Sequence, residues 1–186
     1  MKKTVGLMLL ILMLTGCANA RTQIDRALAL RTRLHQGEGC SFTAGITADY
    51  GDVLHSFTLE CRGDGQGNLA FTVVEPETIA GITGIISSEA GKLTFDETAL
   101  DFPLLADGQV TPVSAPWLLL KTLRGGYLTG AGEEGELLRL AIDDSYEEDA
   151  LHLDIWLDPE DWPVQADILY DGRRILSLTV TDFEIL

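Results

Sequence analysis

The chain reads as an α+β protein: a strongly curved antiparallel sheet carrying an N-terminal helix and a short midchain helix. Three observations lead there. An apolar stripe at helical spacing, Ile24, Ala27, Leu28 and Leu34, opens the folded part. From Cys40 onward, short segments alternate apolar and polar residues, with turn residues between them close enough for antiparallel hairpins. One apolar, helix-prone run, Trp117 to Arg124, interrupts the strands. Helix, strands, short helix and more strands, with no fixed-period repeat and no long linker, make one domain over residues 23–186.

The elements follow in order. The first helix covers residues 23–36; Leu30 or Arg31 completes its stripe, and Gly37 and Gly39 end it. In the next segment Cys40, Phe42, Ala44, Ile46 and Ala48 share one face, and Asp52 to Cys61 alternates likewise. A two-residue turn at Tyr50-Gly51 pairs Phe42 with Leu59, Ala44 with Phe57 and Cys40 with Cys61. Arg62 to Asn68 is a Gly-rich turn, and Leu69 to Glu75 is a strand that Pro76 stops. Ile79 to Ser87 and Lys92 to Phe95 flank a turn at Glu89-Ala90-Gly91, and Ala99 to Phe102 is a further short strand. Leu104 to Pro116 is irregular. Ser114 is placed to N-cap the midchain helix, with Pro116 in its first turn and Gly125-Gly126 closing it. Leu137 to Ile142 pairs with Leu151 to Leu157 across an acidic loop. In the last hairpin, Pro163 to Tyr170 with Arg174 to Phe183, a three-residue loop containing Gly172 puts Val164, Ala166 and Ile168 on one face with Leu176, Leu178 and Val180.

The helix before Cys40, the strand ending at Pro76, the Trp117–Leu123 helix and the terminal Pro163-Val-Gln-Ala-Asp-Ile, Tyr170-Asp-Gly and Thr179-Val-Thr-Asp-Phe183 stretches together resemble the LolA/LolB/RseB group of lipoprotein-carrier-like half-barrels. The resemblance implies a sheet bent around an apolar concavity with helices as a lid, and binding of acyl chains or partner proteins. Cys40, Cys61 and the deep acidity depart from that pattern.

Composition narrows the function. Of 186 residues, 46% are hydrophobic and 23% charged, a globular profile. A net charge of −16 opposes sequence-independent nucleic-acid binding and a polybasic membrane patch. The N-terminus gives the clearest address. Lys2 and Lys3 precede an uncharged stretch from Val5 to Leu14, too short to span a bilayer, and Leu14-Thr15-Gly16-Cys17 follows. That order resembles the signal peptide and lipobox of bacterial lipoproteins. It implies a signal peptide over residues 1–16, diacylglycerol and palmitate-type acylation at Cys17, and a short tether over 17–22 holding an extracytoplasmic domain at the cell membrane. Losing Lys2 and Lys3 leaves 11 basic against 29 acidic residues, so lipid rather than charge must hold the mature chain at a bilayer.

Cys40 and Cys61 then remain, and their expected opposition in the first hairpin suggests a structural disulfide; the alternative is two reduced, buried thiols. Neither lies in a Cys-x-x-Cys motif. His35, His55 and His152 have no metal-ligand spacing, and no nucleophile elbow or phosphate loop is present. Asp64-Gly-Gln66-Gly-Asn68 with Glu75 has a faint calcium-loop spacing but reads better as a turn. The expectation is therefore a non-enzymatic protein with no catalytic, metal or cofactor site. Phe42, Phe57, Phe71 and Phe95 share one sheet face and Trp117 lies on the candidate lid, so these five form either an acyl-chain or other apolar-ligand groove or a filled core. The second case leaves an envelope protein-interaction or sensing module. Trp156, outward with His152 and Asp154, is its candidate contact residue.

Overall fold

Antiparallel pairing runs unbroken from one end of a single sheet to the other. A computed structural model describes residues 21–186 except 50, 52–53, 96–97, 104, 107–108 and 148–149. The expected signal peptide and Cys17 lie outside the described residues. Helix α1 covers residues 21–36. Strands β1 (Gly39–Asp49), β2 (Leu54–Asp64), β3 (Leu69–Glu75), β4 (Thr83–Ile86), β5 (Gly91–Phe95) and β6 (Thr98–Phe102) follow. A two-stranded ribbon, β7 (Leu105–Ala106) and β8 (Gln109–Val110), and a 3-10 turn, Pro112–Ser114, lead into α2 (Ala115–Gly125). Strands β9 (Tyr127–Glu134), β10 (Leu137–Asp143), β11 (His152–Leu157), β12 (Pro163–Tyr170) and β13 (Arg173–Ile185) complete the chain. The eleven-stranded sheet has the order β6-β5-β4-β3-β2-β1-β13-β12-β11-β10-β9 and does not close, so the α+β half-barrel expected from the sequence is the observed fold. The first and last strands meet at its centre, where β1 pairs with β13. No helix among the described residues is long and apolar enough to cross a membrane.

Two registers differ from expectation, and turn chemistry explains both. Asp49 pairs with Leu54, so four residues separate the strand ends rather than two. A two-residue primed turn asks for left-handed backbone at both central positions, which a Tyr resists. The longer connection places Gly51 at φ 89, where its N–H donates to Asp49 Oδ1 at 2.8 Å. The slip moves every partner by two residues and therefore leaves each face unchanged. In the last hairpin Asp171 (φ 48) and Gly172 (φ 72) make a two-residue turn, pairing Tyr170 with Arg173. A bulge between Ile168 and Leu169 then restores the expected partners, Ile168 with Leu176 and Ala166 with Leu178.

Strand β9 is absent from the sequence reading. Gly130, Gly132, Glu133 and Glu134 all lower strand propensity, and as an edge strand it has a neighbour on one side only. At the start of α2, Ser114 has helical backbone (φ −83, ψ −7) because the 3-10 turn runs straight on into the helix. Its hydroxyl donates to Thr111 O at 2.6 Å and caps nothing.

Candidate functional site

The apolar face of the sheet divides in two. Under the helices it is closed. Ala115, Pro116, Trp117, Leu118, Leu119, Leu120, Thr122 and Leu123 are all buried, so α2 is apolar around nearly its whole circumference, as a core helix is. Leu120 rests on Gly63, whose Cβ-less backbone admits its Cδ1. Trp117 Nε1 donates to Gly67 O at 2.9 Å, fastening the helix to the β2–β3 turn. The C-terminus of α2 is tied by Arg31, which donates to the carbonyls of Leu123 (2.9 Å), Gly126 (2.8 Å) and Thr122 (3.5 Å). Burial lowers the pKa of that guanidinium, yet it stays charged and answers the helix dipole. Between α1, α2, β9 and β10 the remaining space is about 10 Å³, lined by Ala27, Leu28, Arg31, Leu123, Leu128, Leu140 and Ile142. That is about the least that one water needs. The expected lid is thus a core element on this side, while toward the β2–β3 turn a cavity of about 280 Å³ remains beside it, lined by Trp117, Leu120, Lys121, Arg124, Gly67 and His35.

Toward β6 the same face opens. One cross-strand row runs Phe42, Cys61, Phe71, Gly84, Leu93, Leu100. Phe42 and Phe71 are 3% exposed and Leu100 is 63% exposed. The neighbouring row runs Ala44, Leu59, Val73 and on, through the Val73 N–H to Ile82 O bond, to Ile82 and Phe95, which is 57% exposed. Gly84 is required in the first row because the Phe71 ring lies across it, where any Cβ would stand. The result is an apolar strip continuous with the core, half-buried at Ile82 and Leu93 and exposed at Phe95 and Leu100. Of the five residues expected to line a ligand groove, Phe42, Phe71 and Trp117 are core, Phe57 is half-buried and Phe95 belongs to the strip.

The opposite face of β1–β5 carries an open groove of about 720 Å³ whose walls mix Thr43, Thr72, Thr83, Thr94, Glu60 and Arg62 with Ala70 and Ile85, and Phe42 and Phe71 border it too. Farther along that face, Trp156 is not a free contact residue. Its Nε1 donates to Glu134 Oε2 at 3.0 Å, and the Arg139 guanidinium lies 5.9 Å from its ring. Arg139 in turn donates twice to Asp154, at 3.0 and 2.7 Å, and these bonds raise its pKa. His152 sits between Asp143, at 2.7 Å, and Asp154, at 3.4 Å.

Cys40 pairs with Gly63 and Cys61 with Phe42, so the cysteines are diagonal neighbours rather than directly opposite. Both are free and buried, and the expected disulfide is not formed. Burial pushes both thiols up; Cys40 adds to the effect on Cys61, whereas Arg124 opposes it at Cys40. Among the described residues no group of three or more His, Cys, Asp or Glu could hold a metal. Asp64 is engaged by its own turn, accepting from the Gln66 and Asn68 backbones and from Asn68 Nδ2.

No family model and no curated protein matches the sequence. Solved structures do match in shape. A domain described as an outer-membrane lipoprotein-sorting protein domain from Vibrio parahaemolyticus aligns with a TM-score of 0.50 at 10% identity, over 89% of this chain and 93% of that one. A conserved protein from Thermus thermophilus gives 0.47 at 12% identity, over 90% and 88% of the two chains. A LolA superfamily protein from Nitrosomonas europaea gives 0.45 at 8%, over 86% and 93%. With its open antiparallel sheet, central β1–β13 pairing and two helices on the apolar face, the chain shares the half-barrel fold of the lipoprotein-sorting domain.

Proposed function

We propose that the protein is a non-enzymatic binding module of the cell envelope, anchored at the extracytoplasmic face of the membrane through lipid on Cys17, which engages an envelope protein by the apolar strip on β4–β6. Residues 1–16 are its signal peptide, 17–22 its tether and 23–186 its binding domain. The observation that supports this is the pair of apolar rows that leave the core and end exposed at Phe95 and Leu100. A small apolar ligand is normally enclosed in several hundred Å³. The gap between α1, α2, β9 and β10 is about 10 Å³, and the cavity of about 280 Å³ beside Trp117 has Lys121, Arg124 and His35 in its walls, so a partner that brings its own cover suits the strip better than a free acyl chain. A second reading, an acyl chain or other apolar ligand laid along the strip, is favoured by the strip's continuity with the core and by a fold that other proteins use in lipoprotein sorting.

A photoreactive amino acid at position 95, in cells making the full chain, tests both. Protein adducts at position 95, absent when the probe is at the fully outward Tyr146, support the first reading. Adducts with the mass of a lipid give the strip to the second. Neither kind of adduct would sink both.

A further inference from the structure

The first two turns of α1 carry an apolar pair that the fold covers only in part. Leu30 and Leu34 are buried against the sheet, 1% and 2% exposed, whereas Ile24 is 41% and Leu28 47% exposed. Ile24 and Leu28 are four residues apart, one above the other on the helix surface, with exposed Arg21 one turn before them. Leu28 lies where α1 meets β9 and β10, sharing the wall of the small cavity there with Leu128, Leu140 and Ile142, and Ile24 is one turn before it.

Chain length decides what stands in front of this pair. Four peptide units separate Cys17 from Arg21, which at about 3.3–3.6 Å each can reach at most ~14 Å. A lipid on Cys17 therefore holds the start of α1 at the level of the bilayer interface. The net negative charge of the mature chain opposes attraction of the domain as a whole to anionic lipid, whereas α1, with Arg21, Arg26, Arg31 and Arg33 against Asp25, is locally basic, so this side combines apolar contact with a charge that a bilayer surface tolerates. We infer that the Ile24–Leu28 face of α1 rests on the interfacial zone of the bilayer and fixes the orientation of the anchored domain. This rests on lipidation of Cys17. In the sheet order β9 and β6 are opposite edges, so the contact and the β4–β6 strip belong to different edges of the sheet and one does not occupy the other.

The test uses the mature lipoprotein extracted from membranes and reconstituted into phosphatidylcholine vesicles containing a nitroxide-labelled phospholipid. A fluorophore is attached to Leu28→Cys or, as control, to Ile85→Cys on β4, 58% exposed; Cys40 and Cys61, 0% and 4% exposed, stay unlabelled in the folded protein. The expected result is quenching several-fold stronger at position 28 than at 85, reduced when Ile24→Glu is added, with thermal melting unchanged. Equal quenching at both positions, in protein that floats with the vesicles, overturns the orientation while leaving the anchor intact. Protein that does not float with the vesicles overturns the anchor, and the orientation with it.

Discussion

The two ends of one sheet face have the same alternating chemistry and opposite fates. On β10–β13, Leu140, Ile155, Ala166 and Leu178 are at most 1% exposed beneath two helices. On β5–β6, Phe95 and Leu100 continue the same apolar alternation and are more than half exposed. Period-2 patterning states which side chains share a face; what lies over that face is a separate property, set here by where α1 and α2 reach. The difference teaches that the helix-covered end supplies stability and that the uncovered end is where a partner can act.

The largest expected effect sharpens the covered end. Trp117→Ala should leave a cavity next to the β2–β3 turn and remove the bond to Gly67, costing about 3–5 kcal/mol. Chemical denaturation measures it. A loss below 1 kcal/mol would mean that α2 is a mobile lid after all, and would falsify the filled-core account.

Next come two substitutions where a backbone meets a side chain. Arg31→Met should strand the three carbonyls at the end of α2 and cost about 1–3 kcal/mol. Gly84→Ala places a methyl against the Phe71 ring and should cost about 1–3 kcal/mol through overpacking; restoring stability by adding Phe71→Leu would identify the ring as the cause. If the double variant is no more stable than Gly84→Ala, the close approach is not what holds glycine there.

The buried thiols give a pH dependence with a definite sign. Their folded pKa values are raised, by burial first, whereas in the unfolded chain a thiol ionises near about 8.5. Above that pH the unfolded state binds fewer protons than the folded state, so stability falls as pH rises and is fully present below it. Melting temperature should decline on the alkaline side, less so in Cys61→Ala, and thiol titration of the unfolded, unreduced protein should find both groups. Finding neither thiol would show that Cys40 and Cys61 are bridged in the envelope, and the alkaline decline would then be missing too.

Much of the fold was legible because face assignment survives small errors in register. Both hairpin turns were misjudged, at Tyr50-Gly51 and at Gly172, yet Phe42, Leu59, Ile168 and Leu176 all lie on the face their alternation assigned. Alternation could not set the Cys40–Cys61 relation, because a two-residue slip preserves faces while changing partners. Nor could it find β9, whose glycines and glutamates are tolerated by pairing on one side, or Arg31 as the group that ends α2, a contact between residues about ninety positions apart. The site was legible only in part for the same reason. The four phenylalanines are equivalent in sequence pattern, and packing from distant parts of the chain, such as the Phe183 ring against Phe42, separates buried Phe42 and Phe71 from exposed Phe95.

The smallest expected change in stability belongs to the uncovered end, and it bears most directly on function. Phe95→Ser with Leu100→Ser removes apolar groups that already face water, so folding should change by no more than about 0.5 kcal/mol per site. Binding should respond very differently. Apolar anchors of this size dominate contact energetics once a partner desolvates them, and losing one costs 2 kcal/mol or more at a true hot spot, roughly a thirtyfold loss of affinity. The double variant should therefore fold and melt like the parent while losing the photo-adducts formed from neighbouring position Leu93. A variant that keeps those adducts at full yield would move the binding surface away from β4–β6. A variant that loses several kcal/mol of stability would show that the strip is covered by the protein itself, and the contrast between the two ends of the sheet would be one of degree only.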